Sequence, residues 1–420
     1  MNRKVNILLA FIFVYGALCF ISLNRHSHAK IHTYHSEIWA DKAGYNVYLP
    51  ATFIYHFQTE SLPKHIDSLT GYGFTIDSTN QKIITKYPYG VALMQSPFWL
   101  IAHLLSTEKD GFSVLYQKSI DFAGSFYLCL GIFMLFFLIK QYSTRNYAIL
   151  LSILLTTSTG IFYYGIFETG MSHIYSFCVL SALVYLLFQT KTQATFYNLL
   201  FLGLLSSLYI IIRPINIVFL IVLFAFVLFH NKSAILNFNT FKQLKTIHYI
   251  IIISICLILI IPQLAYYKYA FNSYLTNSYS NESFVKPNIQ RITQLLFSPH
   301  NGLFIYYPIG IFLLIYAFIQ QHYSRFLLLS LACVYVILYS SWWSLSLGCG
   351  FGHRAFNDIA ILFFIPLFMN TPSLKKSVIL IIGILAFINL KFIFSYDGCL
   401  FSSENGSFTE YFHILFGEFK

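Results

Sequence analysis

Only fifteen of the 420 residues are acidic, and two of them, Glu37 and Asp41, stand one helical turn apart in SEIWADKAGYNVYLP (36–50). Other scarce polar residues occur in short clusters. KYPYG (86–90) carries Lys86, FETGMSHIYSF (167–177) carries Glu168 and His173, and IIRPIN (211–216) carries Arg213. LFSPHNGLF (296–304) carries His300, and SWWSLSLGCGFGHRAFND (341–358) carries His353, Arg354 and Asp358. A carboxylate among cations suits transfer of a group such as a sugar off a lipid phosphate. One acid takes the proton of an attacking hydroxyl, and the cations hold the phosphate as it departs. Asp41 or Glu37, with Glu168 as a further acid, can serve as base. Lys86, Arg213, His173, His353 and Arg354 are the phosphate-binding candidates, and Tyr45 and Tyr87 stand beside them as candidate sugar or acceptor contacts.

Each residue also has a structural role open to it. Asp41 suits the N-cap of a helix over KAGYNVYLPATFIYHF. Arg354 and Asp358, four apart, could pair on one helix face. Lys86 could snorkel from a helix end. Trp342, Trp343 and the tyrosines fit an aromatic belt. Arg213, beside a proline between two short apolar runs, requires a partner.

The elements that must position these residues are membrane helices. Hydrophobic residues make up 57% of the chain, aromatics 19% and charged residues 10%, and the mean hydropathy is +0.66. Such apolar surface needs lipid to cover it. MNRKVNILLAFIFVYGALCFISL opens with a basic start and an apolar run long enough to span, and lacks a small-residue cleavage site, so an uncleaved first helix is expected. Apolar runs predict an all-α polytopic protein of about eleven spans, near 4–24, 113–139, 147–166, 173–189, 195–211, 215–230, 247–267, 304–320, 326–341, 357–370 and 376–394. The chain reads as one domain over 1–420. The Arg213-Pro214 pair divides an apolar stretch too long for one crossing.

Charge supports this count. With the N-terminus cytoplasmic, the inner segments hold Arg3, Lys4, Lys140, Arg145, Lys191, Lys232, Lys242, Lys245, Arg325, Lys375 and Lys376, and no acid. The formal surplus of +11 therefore lies on the inner face, as the positive-inside rule requires, and it implies no nucleic-acid partner. The long first loop (25–112), which carries interfacial helices, and the loops near 268–303 and 342–356 fall on the outer face. All the candidate residues lie at that boundary, where charge at membrane depth marks function.

Seven cysteines, four of them within apolar spans, make no disulfide framework; Cys349 and Cys399 could pair outside. His26, His28, His32 and His35 lack a cysteine or carboxylate at metal-ligand spacing, so no metal ligands are assigned. NES (281–283) and NGS (405–407) are formal glycosylation sequons. Two other classes compete with a sugar transferase. An O-antigen ligase or polymerase would gather its cations in a large late loop, and a flippase would need polar residues through the bilayer, where Asp121 is the nearest to one.

ADKAGYNVYLPA (40–51) resembles the first-loop motif of the GT-C glycosyltransferases, the polytopic group that includes protein O-mannosyltransferases and lipid A aminoarabinose transferases. KYPYG resembles the Lys-Pro-Pro motif of the same loop, and GFGHR resembles the arginine-bearing outer loop of bacterial members. The resemblance implies Asp41 as catalytic base and Lys86 beside the phosphate of a polyprenyl-phosphate sugar donor. It implies a glycan, lipid or protein acceptor, inversion at the sugar, and a multi-pass cell membrane of the bacterial inner-membrane type with an exoplasmic active site. Lys42 stands where many members have a second acid, and Tyr87 replaces the first proline. No cofactor follows from the motifs, and a divalent cation, Mg or Mn, is left open.

Overall fold

The computed structural model describes residues 3–25, 29–189, 195–229, 245–279, 282–321, 324–369, 374–397, 399–400 and 406–417. Among the described residues, five helices are long and apolar enough to cross a membrane: Val5–Arg25, Val114–Lys140, Ser172–Gln189, Thr246–Phe271 and Lys376–Ser395. Their outward faces stay apolar. Ile253, Ile258 and Ile261 of Thr246–Phe271 are all more than half exposed, a surface suited to hydrocarbon and unsuited to water.

The remaining expected spans are helical but shorter. They include Phe196–Ile212, Pro308–Ile319 and Ser324–Ser340, together with Asn216–Phe229 and Ala360–Met369. At 1.5 Å per residue, ten to seventeen residues reach less than a full hydrocarbon thickness. The expected helix over 147–166 is broken into Arg145–Thr157 and Ile161–Ile166. Gly160 lies against the Tyr307 hydroxyl so closely that a Cβ would clash. Asn389 donates to the carbonyls of Thr157 (2.9 Å) and Thr159 (2.8 Å), satisfying backbone that the break frees in an apolar setting. Arg213 does divide two helices, Phe196–Ile212 and Asn216–Phe229.

The first loop is folded. Helices Asp41–Asn46 and Tyr48–Phe53 pack beneath Gly90–Leu105 around Ile38, Val47, Trp99, Phe112 and Tyr116. It also contains strands, which an all-α reading did not foresee: Thr75–Asp77 pairs antiparallel with Lys82–Ile84, Thr75 opposite Ile84. The Asp77 carboxylate accepts from Thr79 N (2.9 Å) and Asn80 N, closing the turn. Tyr269 and Tyr266, near the end of the Thr246–Phe271 helix, hold Ile83 N (3.1 Å) and Thr85 N (2.7 Å). These bonds set the strand that leads directly into Lys86 and Tyr87.

A candidate active site at the end of the first helix

Asp41 is the first residue of its helix, not its cap. Ala40 precedes it with φ 49°, and no side chain caps the helix. The carboxylate is free to turn away, and its Oδ2 accepts from Arg354 Nη2 at 3.0 Å. Both side chains line a cavity of about 430 Å³, a size suited to a small ligand. Lys86 lines it too, its ammonium paired with Glu282 and set over the rings of Tyr87 and Tyr279 at 5.3 and 5.2 Å. Trp39, Trp342 and Trp343 supply aromatic wall.

Burial pushes the Asp41 carboxyl up, but Arg354, the Tyr87 hydroxyl and Lys86 outweigh it and hold it below the ordinary carboxylate value. Asp41 is therefore ionised at neutral pH. Tyr87 is nearly buried, and its ring lies 4.3 Å from that of Tyr45. Tyr45 is one layer further in, its hydroxyl donating to Ser172 Oγ at 3.1 Å. The two tyrosines expected to contact substrate thus back the acid, and neither lines the cavity.

Arg354 reaches Asp41 because the preceding loop cannot be regular. Leu347, Gly348, Gly350 and Gly352 all have positive φ, a region glycine enters without strain. The Asn301 amide donates to the carbonyls of Ser346 (3.3 Å), Gly348 (3.4 Å) and Gly350 (3.0 Å). Tyr164 donates to Phe351 O at 3.1 Å, and Tyr396 accepts from Gly350 N at 3.0 Å. A disulfide joins Cys349 to Cys399, so these two do pair.

The expected pairing of Arg354 with Asp358 does not form. Arg354–Asp358 is a 3-10 turn; at three residues per turn, positions four apart point about 120° from each other. Asp358 instead accepts from Arg213 and lies 3.0 Å from His173 Nδ1. Neither Arg213 nor His173 lines the cavity. The partner that Arg213 requires is this buried carboxylate.

His353 is likewise absent from the cavity wall. It is fully buried against Tyr335 and Tyr339. Burial first, and then the Arg354 charge, push its imidazole down to about 3. It is neutral at physiological pH and lends no positive charge to a phosphate, contrary to the sequence reading. His300 donates its backbone N–H to Ser298 Oγ, and its neighbour Asn301 ties down the loop.

Glu37 is buried, its Oε2 accepting from Gly170 N at 2.8 Å, and does not line the cavity. Glu168 does, and its Oε2 lies 2.9 Å from Lys42 Nζ; Glu37 Oε2 is 3.9 Å from the same ammonium. Lys42 thus neutralises two carboxylates internally. Among the described residues, no three His, Cys, Asp or Glu side chains gather as a metal-ligand set. His35 lies 3.6 Å from Asp397 while His32 faces Leu69 O; His26, His28, Asn281 and Asn405 lie outside the described residues.

Sequence reasoning missed Glu282, Arg25, Asn301 and Asp397. Glu282 sat unnoticed inside a glycosylation sequon. Arg25, the last residue of the first helix, was not singled out. Across the KYPYG segment from Lys86 lies a second, apolar groove of about 560 Å³, lined by Tyr48, Phe53, Tyr89, Pro262 and Tyr266.

No protein-family model matches this chain, and no curated protein matches it.

Proposed function

We propose that the protein is a multi-pass membrane glycosyltransferase that moves a sugar from a polyprenyl-phosphate carrier to an acceptor hydroxyl of a glycan, lipid or protein. The observation that carries this reading is the Asp41–Arg354 contact of 3.0 Å in an aromatic-walled cavity at the end of the first helix, shared with Lys86. An ionised acid beside a guanidinium provides a proton acceptor and an oxyanion partner in one place. The apolar groove across KYPYG supports a donor with a hydrocarbon chain.

In this mechanism the donor phosphate competes with Asp41 for Arg354. Drawing the guanidinium toward the phosphate raises the proton affinity of Asp41, which takes the acceptor's hydroxyl proton. The acceptor oxygen forms a bond to the anomeric carbon as the carbon–oxygen bond to phosphate breaks, the electron pair leaves with the polyprenyl phosphate, and the sugar is inverted. Tyr87 keeps the carboxylate aimed, and Glu37, behind the wall, takes no part.

The finer topology belongs to the same proposal. About eleven crossings, with the bilayer thinned at the shorter helices, put the eleven unbalanced lysines and arginines on the cytoplasmic side. The Cys349–Cys399 bridge at the cavity supports an oxidising, exoplasmic location for the site.

The test is sugar transfer by Asp41→Asn in reconstituted membranes. Turnover is expected to fall about 10²- to 10⁴-fold, the usual worth of a general base, and Glu37→Gln is expected to be far milder. Near-normal turnover by Asp41→Asn ends the assignment.

A further inference from the structure

Four permanently charged cations line the cavity: Arg25, Lys42, Lys86 and Arg354. Three of them already face a carboxylate. Lys42 pairs with Glu168, Lys86 with Glu282 and Arg354 with Asp41. Arg25, alone of the four, has no acidic partner among the described residues. Its guanidinium lies over the Phe167 ring at 4.9 Å, with one nitrogen 3.5 Å from the Tyr396 carbonyl.

A guanidinium carries five donors in a planar fork that matches an oxyanion, and among the described residues the hydrogen bond of Arg25 is to the Tyr396 carbonyl. Its platform is fixed, because Phe167 stacks on Tyr163 at 5.5 Å and meets Phe394 edge-on at 5.6 Å. Arg25 is also the last residue of a helix long enough to cross the membrane. That places it near the headgroup level, beside a cavity that reaches Asp41 and Arg354. An arginine at a helix C-terminus also complements the helix dipole, but so would a lysine, and that role uses neither the fork nor the cavity.

We infer that Arg25 is an anion-binding residue of this cavity and is the first to receive a phosphate-class oxyanion of the incoming molecule, ahead of Arg354. The inference deepens the transferase reading by naming the residue that first holds the phosphate, a role that Arg213, His173 and His353, none of which lines the cavity, are not placed to fill. The oxyanion has two possible sources, a lipid headgroup or free phosphate.

The experiment uses the full chain in nanodiscs and follows tryptophan fluorescence, since Trp39, Trp342 and Trp343 line the cavity. The probes are a polyprenyl phosphate, the matching uncharged polyprenol, and inorganic phosphate as competitor. Wild type is expected to prefer the phosphate lipid over the polyprenol. Arg25→Gln should weaken phosphate-lipid binding about tenfold to a hundredfold, as for loss of charged hydrogen bonds, while leaving polyprenol binding unchanged. Arg25→Lys should keep the melting temperature and recover part of the affinity. Competition by inorganic phosphate, lost in Arg25→Gln, would identify recognition of the phosphate alone; absence of competition with the lipid preference intact would identify the lipid headgroup. Equal binding of the phosphate lipid by wild type and Arg25→Gln, or no wild-type preference over polyprenol, overturns the inference. A wild type that binds through Arg25 yet moves no sugar would sink the transferase reading and leave this site standing.

Discussion

Asp41 and Arg354 are separated by 313 positions in the chain, and their side chains meet at 3.0 Å. One comes from the folded first loop and the other from the glycine-rich loop before Ala360–Met369. Each is held by its own scaffold, so the contact is set by packing on both sides.

Arg354→Gln should move the acid limb of kcat/KM. Arg354 is the largest of the influences lowering the Asp41 value, set against the burial that raises it. In wild type the acid is ionised down to below the ordinary carboxylate range of about 3.9, and the ion pair's contribution to stability is lost only as pH falls through that depressed value. Without Arg354, burial prevails and the limb shifts to higher pH. A pH–rate profile measures the shift; an unchanged limb would mean that Asp41 is not the titrating base.

Asp358→Asn should be costly to stability and comparatively silent in the cavity. It leaves the half-buried Arg213 without its carboxylate; breaking one side of a fully buried pair costs about 3–5 kcal/mol, and the 20% exposure of Arg213 puts this pair at or below the lower end. Because Asp358 also faces His173, the double variant Asp358→Asn/Arg213→Gln should lose less than the sum of the two singles. Melting temperatures in a fixed detergent measure the three. Strict additivity would mean that the two groups are energetically independent.

His353 makes the fold acid-sensitive. Its folded value of about 3 lies below the unfolded value near 6.5. Between those limits the unfolded chain binds a proton that the folded protein refuses, so stability falls as pH drops through this window, by at most about 1.4 kcal/mol per pH unit. His353→Gln should flatten the slope of melting temperature against pH even if it lowers the absolute value. A slope identical to wild type would place the acid-labile group elsewhere.

Apolar runs reported helix positions well because burial in lipid leaves a long local signal. They did not report the break at Ser158–Gly160, whose causes, Tyr307 and Asn389, lie far off in the chain. Asp41, Lys86 and Arg354 were legible as scarce charges near neighbouring span ends, and they do share a cavity. Their pairings were not legible, since an ion pair is a relation between distant segments: Glu282 with Lys86, Asp358 with Arg213, Glu168 with Lys42. His173 and His353 stand among the same candidates as Arg354 but are buried, while Arg213, as exposed as Arg354, turns to Asp358 and away from the cavity. Only the packing and the choice of partner tell the two kinds apart, and a single sequence contains neither. The turn over Arg354–Asp358 shows how a change of helical pitch alone can redirect two side chains that spacing would have matched.

The cavity wall has a further property. Arg25, Lys42, Lys86 and Arg354 are balanced there by Asp41, Glu168, Glu282 and Asp397, although the whole chain carries a formal +11. The formal charges of the wall therefore sum to zero, and its net pull on a distant ion is small. Added salt, which weakens long-range steering, has little there to screen. Capture then depends on a ligand sliding into register with individual charges at short range, as a molecule already confined to two dimensions would.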